Sequence, residues 1–244
     1  IDLICRALIN PGDVIIAESP TYMGTLRNFR GVLADVRSVP MDQKGMDVEA
    51  LGALIDELRA ANRTIKFIYT ISTFQNPTGA TLSETRRRDL LALAARHNIL
   101  ILDDDAYGEL YFGATPPQTL SAMAGGSGVV TVGTFSKILA TGLRVGWIFG
   151  DPAIVQLFGT MRFAMGLNQL MVRALSNYMA DGALDQHAVT VRGIYRTKMN
   201  TLADALEHHA GEFVDFVRPR GGFYLWVKLN GLSAEEVWQV ACEE

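Results

Sequence analysis

The chain of 244 residues is poor in the residues and patterns that build metal centres, disulfide frameworks and membrane spans. Its two cysteines, Cys5 and Cys242, lie near opposite ends, and its four histidines follow no ligand spacing. We therefore predict no metal site, and two ordinary thiols indicate a reducing compartment such as the cytoplasm. No apolar run approaches the ~20 residues that cross a bilayer, so we expect no contact with a membrane.

Charge of one sign is scarce as well. Twenty-two basic and 26 acidic side chains give a net charge of -4, without a long run of either sign. A nucleic-acid binder usually carries a basic face, so the balance argues against nucleic-acid binding in this segment. No strand leads into a glycine-rich dinucleotide motif or a P-loop, which argues against a nucleotide-binding module.

Both ends of the sequence interrupt helical patterns. Residues 1–9 are apolar at every third or fourth position, without the basic leader and cleavage site of a signal peptide. Residues 234–244 stop inside another helical pattern that has no cap. We therefore expect an internal fragment of a longer protein.

Apolar runs of strand length alternate with helical patterns along most of the chain. Such alternation predicts an α/β domain with a mostly parallel sheet and helices on both faces. Ser83 is the predicted cap of one of the helices. The predicted strands cover residues 14–17, 35–39, 66–71, 99–102, 129–132 and 145–149.

The pattern changes in the last third of the chain. A long helix is predicted over residues 185–209, and β patterns follow at residues 213–217 and 223–227. We predict a large domain over residues 1–184, a linking helix over 185–209, and the start of a smaller α+β domain over 210–244.

Polar clusters follow several of the predicted strands. In open α/β sheets, ligands bind beyond the carboxyl ends of the strands. The clusters would therefore place an acid, a phenol, an amide, a lysine, an arginine and hydroxyl groups around one crevice. They are Ser19-Pro20-Thr21-Tyr22, Asn76-Pro77-Thr78-Gly79, Asp104 with Tyr107, Gly133-Thr134-Phe135-Ser136-Lys137, and Arg144.

This ordered set of motifs resembles the class I/II aminotransferases, which are pyridoxal-phosphate (PLP) enzymes of fold type I. The similarity is greatest to the 2-aminoadipate and kynurenine aminotransferases, and it extends over the whole chain. The resemblance implies a seven-stranded sheet, PLP as the cofactor, amino-acid and 2-oxo-acid substrates, a role in amino-acid metabolism and a homodimer.

The resemblance also implies a role for each matching residue. Lys137 would hold the cofactor as a Schiff base and act as the base at the substrate α-carbon. Asp104 would pair with the pyridine nitrogen. The remaining roles are hydrogen bonds to the phenolic oxygen from Asn76 and Tyr107, stacking on the ring by Tyr22, and a phosphate cup formed by Thr134, Ser136 and Arg144.

Each of these residues also has an ordinary structural interpretation. A lysine after a strand is usually a surface residue, and residues 103–105 could form a solvated turn or a magnesium site. Asp103 and Asp105 are predicted to make no cofactor contact. Asn76 could serve only as a turn former, Tyr107 as a core aromatic and Tyr22 as a turn residue.

The sequence leaves the reaction and the substrate open. A glycine-rich phosphate-binding segment of the family would precede Ile1, and no residue matches the family arginine that binds the substrate carboxylate. Arg218 and Arg220 lie in the wrong place for it. Besides transamination, the motifs are compatible with a PLP-dependent lyase or decarboxylase. An aminotransferase-like domain of a transcription regulator is a further alternative, although the asparagine of residues 75–79 favours the enzymes.

Overall fold

A computed structural model describes residues 1–162 and 166–243. In this part of the chain, the strands of the large sheet are β1 (Val14–Ser19), β2 (Asp35–Asp42), β3 (Gly45–Met46), β4 (Ile65–Thr70), β5 (Leu100–Asp104), β6 (Val129–Thr134) and β7 (Gly146–Phe149). These seven strands are in the order β3-β2-β1-β4-β5-β6-β7. Strands β2, β1, β4, β5 and β6 are parallel, whereas β3 and β7 are antiparallel to their neighbours. The prediction of a mostly parallel, seven-stranded sheet is confirmed.

Helices cover both faces of this sheet. The helices of the described residues are α1 (Asp2–Leu8), α2 (Met23–Gly31), α3 (Val48–Ala60), α4 (Glu84–His97), α5 (Leu120–Met123), α6 (Pro152–Thr160), α7 (Gln169–Ala180), α8 (Ala183–Ala210) and α9 (Ala234–Glu243), with a short 3₁₀ turn at Thr141–Leu143. Ser83 caps α4 as predicted, because its hydroxyl accepts a hydrogen bond from the Arg86 N–H at 3.3 Å. No helix in the described ranges is long and apolar enough to cross a membrane.

Two cores lie on opposite faces of the sheet. Successive strand residues point to opposite faces, so Ile15 of β1 joins one core and Ile16 joins the other. Helices α1, α2 and α6 cover the first core, and α3, α4 and α5 cover the second. The central strands are therefore buried on both sides, which leaves the strand ends as the place where polar side chains can meet.

The chain after α8 forms a second, two-stranded sheet. Strands β8 (Val214–Phe216) and β9 (Val227–Leu229) pair antiparallel, with Val214 opposite Leu229. This sheet is separate from the seven-stranded one. The division into domains at residues 184 and 210 remains a prediction.

The predicted strand at residues 223–227 is wrong in position, since only Val227 belongs to β9. The alternating aromatic and aliphatic residues there favour a strand, but the first two aromatics have other partners. The Phe223 ring packs on Tyr195 with 4.6 Å between centroids, and the Tyr224 ring packs on Tyr107 at 5.7 Å. The side chains of Phe223 and Tyr224 are thus used for packing against α8 and the segment after β5, and the backbone of residues 223–226 enters no ladder.

Candidate active site

The predicted polar clusters meet at one edge of the sheet. Strands β1, β4, β5 and β6 run parallel, so the segments after Ser19, Thr70, Asp104 and Thr134 leave the sheet on the same side. Strand β7 runs in the opposite direction and pairs Gly146 with Thr134. Arg144, which precedes β7, is thereby brought back to the edge at which β6 ends.

Asp104, the last residue of β5, is held by a tyrosine of the neighbouring strand. The Tyr69 hydroxyl donates a hydrogen bond to Oδ2 of Asp104 at 2.7 Å and lies 3.1 Å from Oγ1 of Thr25 in α2. Burial raises the pKa of Asp104, and the hydrogen bond from Tyr69 opposes that rise. The result is a half-buried carboxyl group with one well-defined donor.

Asn76 and Tyr107 form a cluster with a third residue, Tyr224. The Asn76 amide nitrogen donates to the Tyr224 oxygen at 3.0 Å and to the Tyr107 oxygen at 3.3 Å, and the two phenol oxygens are 3.3 Å apart. Burial raises the pKa of Tyr107 well above its ordinary value, so its phenol keeps its proton at neutral pH. The predicted pair is therefore in contact, and it has a partner 148 residues from Asn76 along the chain.

Lys137 lies beside this cluster. Its Nζ is 5.9 Å from the centre of the Phe223 ring, within the range of a cation–π contact. The same ring contacts Tyr107, with 5.7 Å between centroids. Lys137 is half-buried, and its amine faces the Phe223 ring beside Tyr107.

The turn after β6 presents hydroxyl and N–H groups. Oγ1 of Thr134 accepts a hydrogen bond from the Ser136 N–H at 3.1 Å and donates to the Val145 carbonyl at 3.4 Å. Arg144 is exposed and has a left-handed backbone with φ of 53°. Hydroxyl groups, a backbone N–H turn and an arginine near one strand end suit the binding of a phosphate.

Tyr22 lies at the start of α2 with 46% of its surface exposed. Its ring passes so close to Gly24 that a Cβ at position 24 would lie 2.5 Å from it. A glycine is therefore needed for this ring orientation. The exposed ring can accept a planar ligand on its open face.

Two buried side chains, Glu18 and Gln75, join the Tyr22 loop to the Asn76 turn. Glu18, 3% exposed, accepts hydrogen bonds from the Thr70 hydroxyl at 2.6 Å and from Gln75 Nε2 at 3.4 Å. The same Nε2 donates to the Pro20 carbonyl at 2.8 Å, and Oε1 of Gln75 accepts from the Thr78 N–H at 2.9 Å. Both polar atoms of the Gln75 side chain thus form hydrogen bonds. Burial raises the pKa of the Glu18 carboxyl group.

The three consecutive acids of β5 and its exit have different partners. Asp103 is buried, which rules out the solvated turn for it, and it accepts from the Ser72 N–H at 3.4 Å. Burial raises its pKa to about 7. Asp105 accepts from the Gly108 N–H at 3.0 Å. Within residues 1–162 and 166–243, no group of three or more acids, histidines or cysteines could hold a metal ion.

Arg218 is engaged elsewhere. Its guanidinium binds Asp204 at 2.6 Å and Glu207 at 2.5 Å, both on the exposed side of α8. Hydrogen bonds to these carboxylates raise the pKa of Arg218. The arginine is therefore part of a surface ion-pair group.

Three residues that shape the site were missed by sequence reasoning: Glu18, Tyr69 and Tyr224. Glu18 had a usable signal, because it is an acid directly after the buried run of residues 14–17. Tyr69 is a hydroxyl-bearing residue in an otherwise buried strand, which is a weaker signal. Nothing local indicates that Tyr224 meets Asn76.

The family model for aminotransferase class I and II matches residues 1–244. The chain belongs to this family. The class I/II aminotransferase resemblance and the fold expected from it are thereby confirmed.

The relatives of this aminotransferase-family chain have more than one named function. It is 36% identical to aromatic-amino-acid aminotransferase 1 of Thermococcus litoralis over 94% of its length and 55% of the relative. It is 31% identical to an uncharacterized HTH-type transcriptional regulator of Bacillus subtilis over 94% of its length and 47% of that protein. The chain therefore spans about half the length of these curated relatives.

The fold agrees with that of a solved aminotransferase. The chain superposes on Pyrococcus horikoshii kynurenine aminotransferase with a TM-score of 0.93 and 35% identity, covering 99% of this chain and 61% of that one. That protein was crystallised with PMP, with KYN as substrate and KYA as product.

Proposed function

We propose that the protein is a PLP-dependent aminotransferase that moves an amino group between an amino acid and a 2-oxo acid. The observation that carries this proposal is the convergence of Asp104, the Asn76–Tyr107 pair and Lys137 on one sheet edge. A carboxylate, a phenol–amide pair and an amine are the groups that this cofactor requires. Membership of the class I/II aminotransferase family supports the proposal.

The donor set fits PLP at each of its polar positions. Asp104 would hold the pyridine nitrogen, Asn76 and Tyr107 the phenolic oxygen, and Lys137 the aldehyde carbon. Tyr22 would stack on the ring, and Thr134, Ser136 and Arg144 would bind the phosphate. When bound, PLP would supply an electron sink that stabilises negative charge at the substrate α-carbon.

The side chains of the chain itself would perform the proton chemistry. An ionised Asp104 keeps a proton on the ring nitrogen that faces it. Tyr107 keeps its phenol proton at neutral pH and donates it in a hydrogen bond, because burial raises its pKa. Lys137 would accept the proton that leaves the α-carbon and return it at the next position. The aromatic wall formed by Phe223 and Tyr107 excludes water from one side of that amine.

A regulator of transcription is the second candidate function. It is favoured by the similarity to the HTH-type regulator of Bacillus subtilis, which is nearly as high as that to the aminotransferase. A lyase or decarboxylase would use the same lysine and aspartate. Only transamination leaves the cofactor in its amine form. Analysis of the products of a single half-reaction therefore separates an aminotransferase from a lyase or decarboxylase and from a regulator.

We further propose a cytoplasmic homodimer. The cytoplasmic location is supported by the two cysteines, which are unpaired in the structure and are typical of a reducing compartment. The homodimer rests on the family resemblance and is testable by the mass of the protein in solution.

Reduction with borohydride tests the proposed function directly. We expect PLP to be fixed covalently to the purified protein at Lys137, as located by peptide mapping, and Lys137→Ala to abolish the attachment. Lys66 is a matched control, since it is ion-paired to Asp13 at 3.2 Å near the start of β4, at the opposite end of the strands. Attachment at Lys66 or Lys198, or attachment that persists in Lys137→Ala, would contradict the assignment.

A further inference from the structure

Tyr69 lies under the site with no access to solvent. It is 0% exposed in the middle of the sheet, and its ring packs edge-on against Phe29 with 5.3 Å between centroids and an 83° angle between planes. This packing fixes the ring, so its hydroxyl group has a fixed position. That hydroxyl lies 2.7 Å from Oδ2 of Asp104 and 3.1 Å from the hydroxyl of Thr25.

The direction of these hydrogen bonds follows from counting protons. A phenol has one proton, and an ionised carboxylate can only accept. Tyr69 therefore donates to Asp104, and the Thr25 hydroxyl donates to the Tyr69 oxygen. The three side chains form a directed chain from α2 through β4 to the end of β5.

The two oxygens of Asp104 are consequently not equivalent. Oδ2 is engaged by Tyr69, whereas Oδ1 has no hydrogen-bond donor among the residues that the structure describes. An aspartate carboxylate otherwise rotates broadly about its last torsion. A rigid donor on one oxygen restricts that rotation and leaves the other oxygen to receive an N–H.

We infer that Tyr69 is a positioning residue for the proposed reaction, holding Oδ2 of Asp104 so that Oδ1 faces the ring nitrogen of the cofactor. The inference rests on the proposed function for the identity of the N–H group. It assigns to Tyr69 no contact with the cofactor or the substrate. Its effect passes entirely through Asp104.

The variant Tyr69→Phe removes one hydroxyl group and keeps the packed ring. Loss of a hydrogen bond to a charged group corresponds to about a ten- to hundredfold change in an equilibrium. In the holoenzyme we expect kcat to fall about tenfold or more while KM changes less than about twofold, and the visible band of the bound cofactor to shift. Thr25→Val is expected to act in the same direction with a smaller effect.

A second measurement needs no cofactor. Infrared difference spectra of the cofactor-free protein follow protonation of Asp104, and the band is identified by its loss in Asp104→Asn. We expect Tyr69→Phe to raise the pH at which this carboxyl protonates by about one unit or more, because a donor to its ionised form is removed. The amino group of Ile1, Asp105 and Glu18 also act on this carboxyl through space, and none of them is altered in the variant.

Tyr178→Phe is the matched control, since Tyr178 lies on α7 and its ring faces His187. It should leave all of these readouts at wild-type values. A Tyr69→Phe protein with unchanged infrared titration and unchanged kcat would overturn the inference. If the wild-type protein bound no PLP, the proposed function would fail, and the infrared measurement would still decide whether Tyr69 holds Asp104.

Discussion

The two halves of the candidate site are built in opposite ways. The buried half (Asn76, Asp104 and Tyr107) has partners from distant elements, as in the contact between Asn76 and Tyr224. The more exposed half (Thr134 and Ser136, both half-buried, and Arg144, which is exposed) has only local partners. Its hydrogen bond of greatest sequence separation joins Thr134 to Val145. Buried polar groups must be satisfied within the protein, whereas exposed groups can use water. Changes in the buried half are therefore expected to affect both stability and function. Changes in the exposed half are expected to affect function alone.

The largest effect on turnover is expected from Asp104→Asn. The amide can still accept the Tyr69 hydrogen bond, but it carries no charge to keep the ring nitrogen protonated. We expect the half-reaction, followed by stopped-flow absorbance, to slow about 10²–10³-fold, with a much smaller loss of PLP affinity. Wild-type turnover in this variant would show that Asp104 is not the partner of the ring nitrogen.

Arg144→Ala tests the exposed half. Loss of charged hydrogen bonds to a phosphate is expected to weaken PLP binding about ten- to hundredfold while the melting temperature of the cofactor-free protein stays unchanged. Arg218→Ala is the control, since Arg218 binds Asp204 and Glu207 on the surface of α8. Equal losses of affinity in the two variants would exclude a specific phosphate contact by Arg144.

Gln75→Glu tests the link that joins the Tyr22 loop to the Asn76 turn. The new carboxylate would face Oε2 of Glu18, now 3.4 Å from Gln75 Nε2, and the Pro20 carbonyl, now 2.8 Å from it. We expect the free energy of unfolding to fall by about 1–3 kcal/mol and PLP affinity to fall with it. Urea titration measures the first quantity and absorbance the second.

A compensating variant distinguishes this repulsion from a simple loss of packing. Glu18→Gln combined with Gln75→Glu restores one donor and one acceptor across the same pair. The double variant is expected to recover part of the lost stability. If it were no more stable than Gln75→Glu alone, the Glu18–Gln75 contact would not be the cause.

A further prediction is a pH dependence of stability that belongs to Asp103. Burial raises its pKa to about 7 from the ordinary value of 3.8. The folded state therefore binds more protons than the unfolded state between these values, and this residue's contribution to stability is lost as pH rises from about 4 to about 7. Asp103→Asn removes that contribution. We expect the stability difference between wild type and variant to change across this window and to be constant above about pH 8, as measured by urea titration at each pH. An unchanged difference across the window would contradict the assignment.

The sequence predicted the sheet and the site edge because both depend on local patterns. Apolar runs located six of the seven described strands of the large sheet and missed the two-residue β3. The polar residues that follow these runs, such as Asn76 and Asp104, were therefore expected together. The roles of these residues stay predictions, but their placement at one edge is observed.

The partners of these residues could not be predicted in the same way. Tyr69 meets Asp104 across 35 residues, and Tyr224 meets Asn76 across 148. Such contacts depend on how whole elements pack, and no spacing in the sequence encodes them. The strand predicted at residues 223–227 is misplaced for the same reason, because contacts between distant elements decide its position. Phe223 and Tyr224 pack into the site, and the β ladder begins only at Val227.

The antiparallel course of β7 has a consequence for how the site assembles during folding. It joins Thr134 and Val145 through a loop of about ten residues, and contacts of such short sequence separation close rapidly. The hydrogen bond between Asn76 and Tyr224 spans 148 residues, and the neighbouring Phe223 ring packs on Tyr195 of α8. We expect the segment that contains Lys137 and Arg144 to take its shape early, while the phenol cluster beside the lysine is completed among the last contacts of the fold.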